Sequence, residues 1–484
     1  MLSFRQIRMK WVIGIVALYA AVFLVYAEKW AFTLDESYHL LAAQLIGSGK
    51  RPYIDFCFPQ TPLNAYWNAG WMRLLGENWQ VPHAFAALFT IGAVVLAARY
   101  IFFRFPTGNW RAAAALSVAM LIGLNAMVFI YGSLQAYGIC LFTLVVAFQA
   151  TVRAVDRSEP LFPAAAGFFA GAAAASSLLS AAAAPVLLVW MLIYTRAGTH
   201  WTKFASFCAA AAIPFAPVIW LAWQGPRQTL FNVIQYHAFF RKLYWPETTS
   251  HDIEILTSWF DSGQALLIGV LAVSGLVFIA RGSQWPAAIK AEFYLCGWLS
   301  AAIAAEVGSA HPTFSRYFLL TVPFLAILAA AGLYAIAVRA FDPDKPLWVV
   351  LPVVVFMVLG LSKSLSERTM GDWSRWERLA RKMDEVTPRN APMFADEQIY
   401  FLTQRMPPVG LELSYTHKID LGPKENALLH IIPDAELKRE VKSGIFASAY
   451  SCDDDEIGDY GLAKLYKQRL DTEDCSIFWD RAGQ

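Results

Sequence analysis

The chain predicts an α-helical polytopic membrane protein, with about eleven transmembrane helices and a small extracytoplasmic α/β domain at its C-terminal end. Three observations carry this. Of 484 residues, 57% are hydrophobic and 16% charged, against roughly 45–50% and about 25% in soluble domains. Apolar runs recur from residue 11 to residue 362, and charge gathers after them, as in Cys452, Asp453, Asp454, Asp455 and Glu456. A soluble cytoplasmic protein is excluded as a description of the whole chain. With 39 Lys+Arg against 37 Asp+Glu, no charge excess points to a nucleic-acid partner.

Taken in order, residues 1–10 are basic and the run from Trp11 to about Tyr26 is apolar. Glu28, Lys29 and Trp30 provide no small-residue cleavage site, so this run reads as a retained first span. Roughly 20 apolar residues cross a bilayer, which selects segments near 11–30, 82–103, 111–130, 134–152, 160–178, 180–195, 203–223, 263–280, 291–308, 314–338 and 346–362. The fifth and sixth, rich in Ala, Gly and Ser, fit either a hairpin or one long broken helix.

Loop charge sets the orientation, because cytoplasmic loops retain Lys and Arg. A cytoplasmic N-terminus puts Arg5, Arg8 and Lys10; Arg99, Arg104 and Arg111; Arg153 and Arg157; Arg196 and Lys203; Arg281 and Lys290; and Arg339 and Lys345 inside. The short opposite loop 131–136 holds no charge. An odd number of spans then leaves 31–81, 224–262 and the C-terminal region extracytoplasmic. The expected division is a membrane domain over 1–362, carrying those two loops, and a soluble domain over 363–484.

Within the first loop, Tyr38–Ile46 and Leu63–Leu75 are too short to cross and suit interfacial helices. In the C-terminal region, 391–395, 445–449 and 475–479 read as strands, and 396–404 and 434–443 as helices. Cys140, Cys208 and Cys296 fall in expected spans as packing residues. Cys57, Cys452 and Cys475 fall outside, where a Cys452–Cys475 disulfide or two separate thiols are both open. No Cys/His spacing marks a zinc site.

The sharpest local feature is Asp35-Glu36-Ser37-Tyr38 just beyond the first span. A carboxylate at the bilayer centre costs about 2.5–3.5 kcal/mol on insertion scales, a penalty that fades at the boundary. Asp35 therefore either caps the helix that follows, with Glu36 adding charge at its positive end, or serves chemistry. The loop continues through Gly49-Lys50-Arg51-Pro52-Tyr53 to Gln60-Thr61-Pro62-Leu63, Tyr66-Trp67 and Leu74-Leu75-Gly76. This pattern resembles the first extracytoplasmic loop of the GT-C glycosyltransferases, in the branch of protein O-mannosyltransferases and bacterial lipid A aminoarabinose transferases. The resemblance covers 31–80 in motif and 1–362 in topology. Where those relatives carry Pro-Pro-Leu, often after a lysine, this chain has Gln60-Thr61-Pro62-Leu63. Loop 131–136 also lacks the second acidic residue that several of them place there, on which carry-over of an acidic pair or a metal site would rest.

The chemistry has its own argument. Nucleotide sugars are cytoplasmic, the candidate site faces away from the cytoplasm, and no glycine-rich phosphate loop occurs. The donor implied is a membrane-borne polyprenyl-phosphate sugar, its leaving group already in place. Inverting displacement then needs one carboxylate to accept the acceptor's proton. Asp35 is the candidate base, and Glu36 orients the acceptor or charges the helix start. No cofactor is required, and a divalent metal is left open.

The leaving phosphate calls for cationic or hydrogen-bonding partners. His311, Arg316 and Tyr317 enter the tenth span, and their Arg-Tyr pair also resembles the family; an interfacial anchor is the other reading. Lys50 and Arg51 are open between substrate contact and surface binding. His237, Arg241 and Lys242, beside Tyr244 and Trp245, suit a lipid-headgroup anchor or substrate contact, as Tyr38 and Gln60 do within the first loop. Glu306 is expected to pair with Arg316 or Lys29, with a direct acceptor or metal role as the alternative.

The expected activity is transfer of a monosaccharide to an extracytoplasmic glycan, lipid or protein by an integral protein of a bacterial inner membrane. A lipid or glycan translocator, a polysaccharide polymerase or ligase, and a scaffold that recruits a partner are the alternatives. Apart from Glu306 the spans are read as nearly free of ionisable groups, which disfavours a translocator.

Overall fold

The computed structural model describes residues 9–157, 159–195, 198–245, 247–281, 285–368, 372–472 and 475–482. Arg5, Arg8 and Arg196 of the charge pattern lie outside them. Among the described residues, eight helices are long and apolar enough to cross a membrane: Met9–Lys29, Gln80–Arg104, Tyr137–Asp156, His200–Gln224, Gly263–Arg281, Ala287–Gly308, Ser315–Ala340 and Leu347–Ser366. The chain is an integral membrane protein.

The three other expected spans are helical but shorter. Residues 111–130 divide into Arg111–Gly123 and Ala126–Tyr131. The break has a local cause, since Asn125 is extended and its side chain accepts the Val128 amide, starting a new helix. Leu161–Ser176 and Ala183–Tyr194 are separate helices, divided by extended Ser177 and the 3-10 turn Leu178–Ser180.

Packing groups the chain into two compact units. The first comprises Met1–Ala31, His83–Ala216 and Glu247–Thr369; the second comprises Phe32–Pro82, Pro217–Pro246 and Met370–Gln484.

In the first unit, Gly263–Arg281 and Ser315–Ala340 approach closely because Gly275 and Gly332 bring backbone against backbone: a Cβ on Gly275 would collide with the Leu328 carbonyl and one on Gly332 with the Leu271 carbonyl. Gln264 ties the broken helix to two others, accepting the Ala126 amide at 2.8 Å and donating to the Leu124 and Met357 carbonyls at 3.0 and 2.7 Å. Two expectations about charge are corrected here. Glu306 accepts the Ala182 amide at 2.9 Å instead of pairing with Arg316 or Lys29, because the first amides of Ala183–Tyr194 lack intrahelical acceptors. The spans also hold Glu292, a buried carboxylate, which accepts the Tyr100 hydroxyl at 2.6 Å and the Arg104 guanidinium.

In the second unit, the loop segments share a hydrophobic core with the C-terminal region: Phe32, Phe58, Trp79, Leu221, Trp373 and Trp376 all belong to it. The sheet runs β1 (Met393–Phe394), β2 (Ser448–Ser451), β4 (Ser476–Arg481), β3 (Tyr466–Asp471). β1 and β2 are parallel; β4 pairs antiparallel with both β2 and β3. Three of these strands answer the sequence expectation. β3 does not, because past Tyr466 its side chains are exposed and, Leu470 apart, polar, so this edge strand shows no apolar alternation. Cys452 and Cys475 form the disulfide.

Candidate functional site

The site builds from the turn that follows the first span. Glu36 and Ser37 donate their amides back to Thr33 and Leu34, winding the chain directly into helix Glu36–Gly47. This turn decides what Asp35 does. It stands at the N-cap position in helical conformation, φ −60° and ψ −18°, and its side chain makes no capping hydrogen bond. Capping needs an extended residue whose carboxylate swings back over the next amides. Asp35 instead accepts the Tyr415 hydroxyl at 3.1 Å and is half-buried, while Glu36 beside it is buried.

Tyr415 comes from the C-terminal region and is itself held in place. Its turn, Ser414–Thr416, is pinned by the Ser414 amide donating to the Glu397 carboxylate at 2.6 Å. Its ring meets Tyr244 edge to face with centroids 4.9 Å apart, and the Lys418 ammonium lies 4.7 Å from the centre of the Tyr244 ring. Glu397 opens helix Glu397–Thr403 next to Asp396. Burial pushes both carboxyls up; Glu397 and Glu456 raise Asp396 further, and Asp35 acts on Glu397 in the same sense. Burial also raises the Tyr415 phenol, with the Asp35 charge adding to it, so Tyr415 remains a donor toward Asp35.

Around this centre the loop residues have defined tasks. Gln60 donates to the Tyr38 hydroxyl at 3.2 Å, and its own carbonyl accepts the Tyr53 hydroxyl at 2.5 Å. Tyr38 lies against His39, ring centroids 4.3 Å apart; burial pushes His39 down to about 4, with Asp35 opposing, so the imidazole is neutral at physiological pH. His237 sits in the π-helical stretch Phe231–Phe240 and donates from Nε2 to the Pro59 carbonyl at 2.7 Å. Burial, then Arg241, pushes it down to about 4. His237 is therefore a neutral strut between two loop segments.

Arg51 is forked over Asp55, with Nε and Nη2 each 2.9 Å from a carboxylate oxygen, and reaches Gln224 at 2.7 Å. Lys50 and Lys242 are exposed, and Arg241 is half-buried in the turn Arg241–Tyr244.

His311, Arg316 and Tyr317 belong to the first unit. His311 Nδ1 is 2.5 Å from Asp252, whose other oxygen accepts the Thr313 amide at 2.6 Å. With Nδ1 engaged, Nε2 is the ring nitrogen left for a further partner. Arg316 is half-buried, its guanidinium 4.1 Å from the Phe314 ring centre and 5.5 Å from that of Tyr317, which is buried. In the same unit a cavity of about 520 Å³ has apolar walls from Ile268, Leu319 and Phe356 and a polar rim from Asp261, Ser315 and Lys363. Among the described residues no group of three or more His, Cys, Asp or Glu is placed to hold a metal.

The sequence reading missed Tyr415, Glu397 and Asp396, and named Tyr244 only as an aromatic beside His237, Arg241 and Lys242. The one available signal was the acidic pair Asp396–Glu397 directly after an apolar strand, which was read as an ordinary helix start.

No protein-family model matches the chain, and no curated protein sequence matches it. Solved structures do. ArnT from Cupriavidus metallidurans bound to undecaprenyl phosphate is similar over 97% of this chain and 98% of its own, at 17% identity and a TM-score of 0.66. The same protein in the apo state gives 96%, 97%, 16% and 0.64. The apo oligosaccharyltransferase of Archaeoglobus fulgidus is similar over 95% of this chain and 73% of its own, at 13% identity and a TM-score of 0.50. At these identities the likeness is one of fold, and the fold of this chain is that of the GT-C glycosyltransferases.

Proposed function

We propose that the chain is an inverting glycosyltransferase that moves a monosaccharide from a polyprenyl-phosphate donor to an extracytoplasmic acceptor, with Asp35 as general base. The observation that carries this reading is the conformation of Asp35: its carboxylate is turned away from its own helix and oriented by a tyrosine 380 positions along the chain. The GT-C fold and the undecaprenyl phosphate bound to ArnT support the donor class.

In the proposed step the acceptor hydroxyl attacks the anomeric carbon as its proton passes to Asp35. The bond between that carbon and the phosphate oxygen breaks, and polyprenyl phosphate leaves with the electron pair. Arg316, with His311, is assigned to the donor phosphate, since a guanidinium meets phosphate oxygens in pairs. Arg51, committed to Asp55, steadies its loop, and Lys50 remains a candidate for the phosphate. The orientation follows the loop charges: N-terminus inside, residues 31–81 and the C-terminal region outside, in a bacterial inner membrane.

The test is a transfer assay with purified protein in proteoliposomes, a panel of synthetic polyprenyl-phosphate sugars and total envelope glycans as acceptor. Wild type is expected to release polyprenyl phosphate as glycan gains sugar, and Asp35→Asn to do neither while keeping its melting temperature. Full activity of Asp35→Asn removes Asp35 as base, and movement of the intact donor across the bilayer without transfer replaces the enzyme with a translocator.

A further inference from the structure

The proposed reaction uses none of Arg99, Arg104 and Arg153. In the first unit they line one cavity of about 290 Å³, between the last turns of Gln80–Arg104 and Tyr137–Asp156, with Gln149 and Asp156 completing its polar wall. Arg104 is committed to buried Glu292. Among the described residues neither Arg99 nor Arg153 forms an ion pair; Arg99 lies 5.6 Å from the centre of the Phe103 ring.

A second cavity, of about 460 Å³, shares Arg99 and Phe103 with the first. Its remaining walls are apolar, with Val12 and Val16 from Met9–Lys29 facing Ile91 and Val95 from Gln80–Arg104. The lining from Ile91 to Phe103 spans roughly 18 Å at about 1.5 Å per residue. One leaflet of a hydrocarbon core about 30 Å thick has nearly that depth.

We propose that the two cavities form one binding site for an anionic glycerophospholipid, its phosphate held by Arg99 and Arg153 and one acyl chain laid along the groove. A single arginine near a helix end is ordinarily a snorkelling anchor. Here two arginines from different helices converge on one pocket, and an apolar groove one leaflet deep opens from the same wall. Basic pockets between membrane helices on the cytoplasmic side suit anionic headgroups. A free phosphate would leave the groove without an occupant, and a polyprenyl chain is far longer than one leaflet.

The test is native mass spectrometry of the full chain in detergent, titrated with dioleoyl-phosphatidylglycerol or dioleoyl-phosphatidylcholine. Wild type is expected to bind one phosphatidylglycerol at least tenfold more tightly than phosphatidylcholine. Arg99→Gln with Arg153→Gln is expected to lose that preference, and Arg99→Lys with Arg153→Lys to keep part of it. Ala17→Trp, which fills the groove and leaves the arginines in place, is expected to weaken phosphatidylglycerol at least tenfold. Glycerol 1-phosphate at the same concentration is expected not to displace the lipid. Equal binding of the two lipids by wild type, retained preference in the glutamine variant, or displacement by glycerol phosphate would each overturn the site. If the glutamine variant fails to fold, the wild-type lipid comparison and Ala17→Trp still decide.

Discussion

Asp35 makes no capping hydrogen bond and accepts the Tyr415 hydroxyl instead, and the role of base proposed for it has measurable consequences. Asp35→Asn is expected to lower transfer by about 10²–10⁴-fold, the usual contribution of a positioned base. Tyr415→Phe removes the donor that orients it and is expected to reduce kcat/KM by about tenfold, the factor for about 1.4 kcal/mol. Glu412 offers a pH signature separate from activity. Burial pushes its carboxyl up to about 7, opposed by its own and the Gly410 amides. Between the unfolded carboxyl value and about 7 the folded state holds a proton that the unfolded state has released, so stability falls as pH rises through that window. At about 1.4 kcal/mol per unit this amounts to a few kcal/mol. Glu412→Gln is expected to flatten the melting temperature between pH 5 and pH 8, and an unchanged slope would remove Glu412 as its source.

Among the elements, the close helix crossing at Gly275 and the disulfide make the clearest predictions. Gly275→Leu forces side-chain atoms against the Leu328 carbonyl and is expected to cost at least about 1–3 kcal/mol, the usual range for overpacking, read as a lower melting temperature in detergent. The Cys452–Cys475 bond closes a loop of sequence separation 23, for which the chain-entropy account gives about 3 kcal/mol. Cys452→Ser with Cys475→Ser, or reduction of wild type, is expected to lower the melting temperature, with no further effect of reductant on the double variant.

For the whole molecule, function depends on which side of the membrane each segment occupies. Lys464→Cys, exposed in the C-terminal region, is expected to react with a membrane-impermeant maleimide in intact spheroplasts. Lys345→Cys, at the end of a span assigned to the cytoplasmic side, is expected to react only after permeabilisation. The reverse pattern would put Asp35 where no polyprenyl-linked sugar is presented, and the proposed reaction would fall with it. A disulfide in the C-terminal region agrees with an oxidising compartment.

Hydrophobic length and the spacing of charge are properties of short stretches, and each stretch partitions into the bilayer largely on its own account. Membrane character, most of the spans and the carboxylate beyond the first one were therefore legible in the sequence, and so was the loop motif around it. The direction in which Asp35 points was not, because its donor Tyr415 lies 380 positions away and is set by Glu397 through packing no local pattern encodes. Glu306, read as a partner for Arg316 or Lys29, was taken by an amide whose helix begins only because Ser177 is extended. Capping, ion pairing and the convergence of distant side chains are decided by which groups burial leaves within reach of one another, and that reach exists only once the helices have packed.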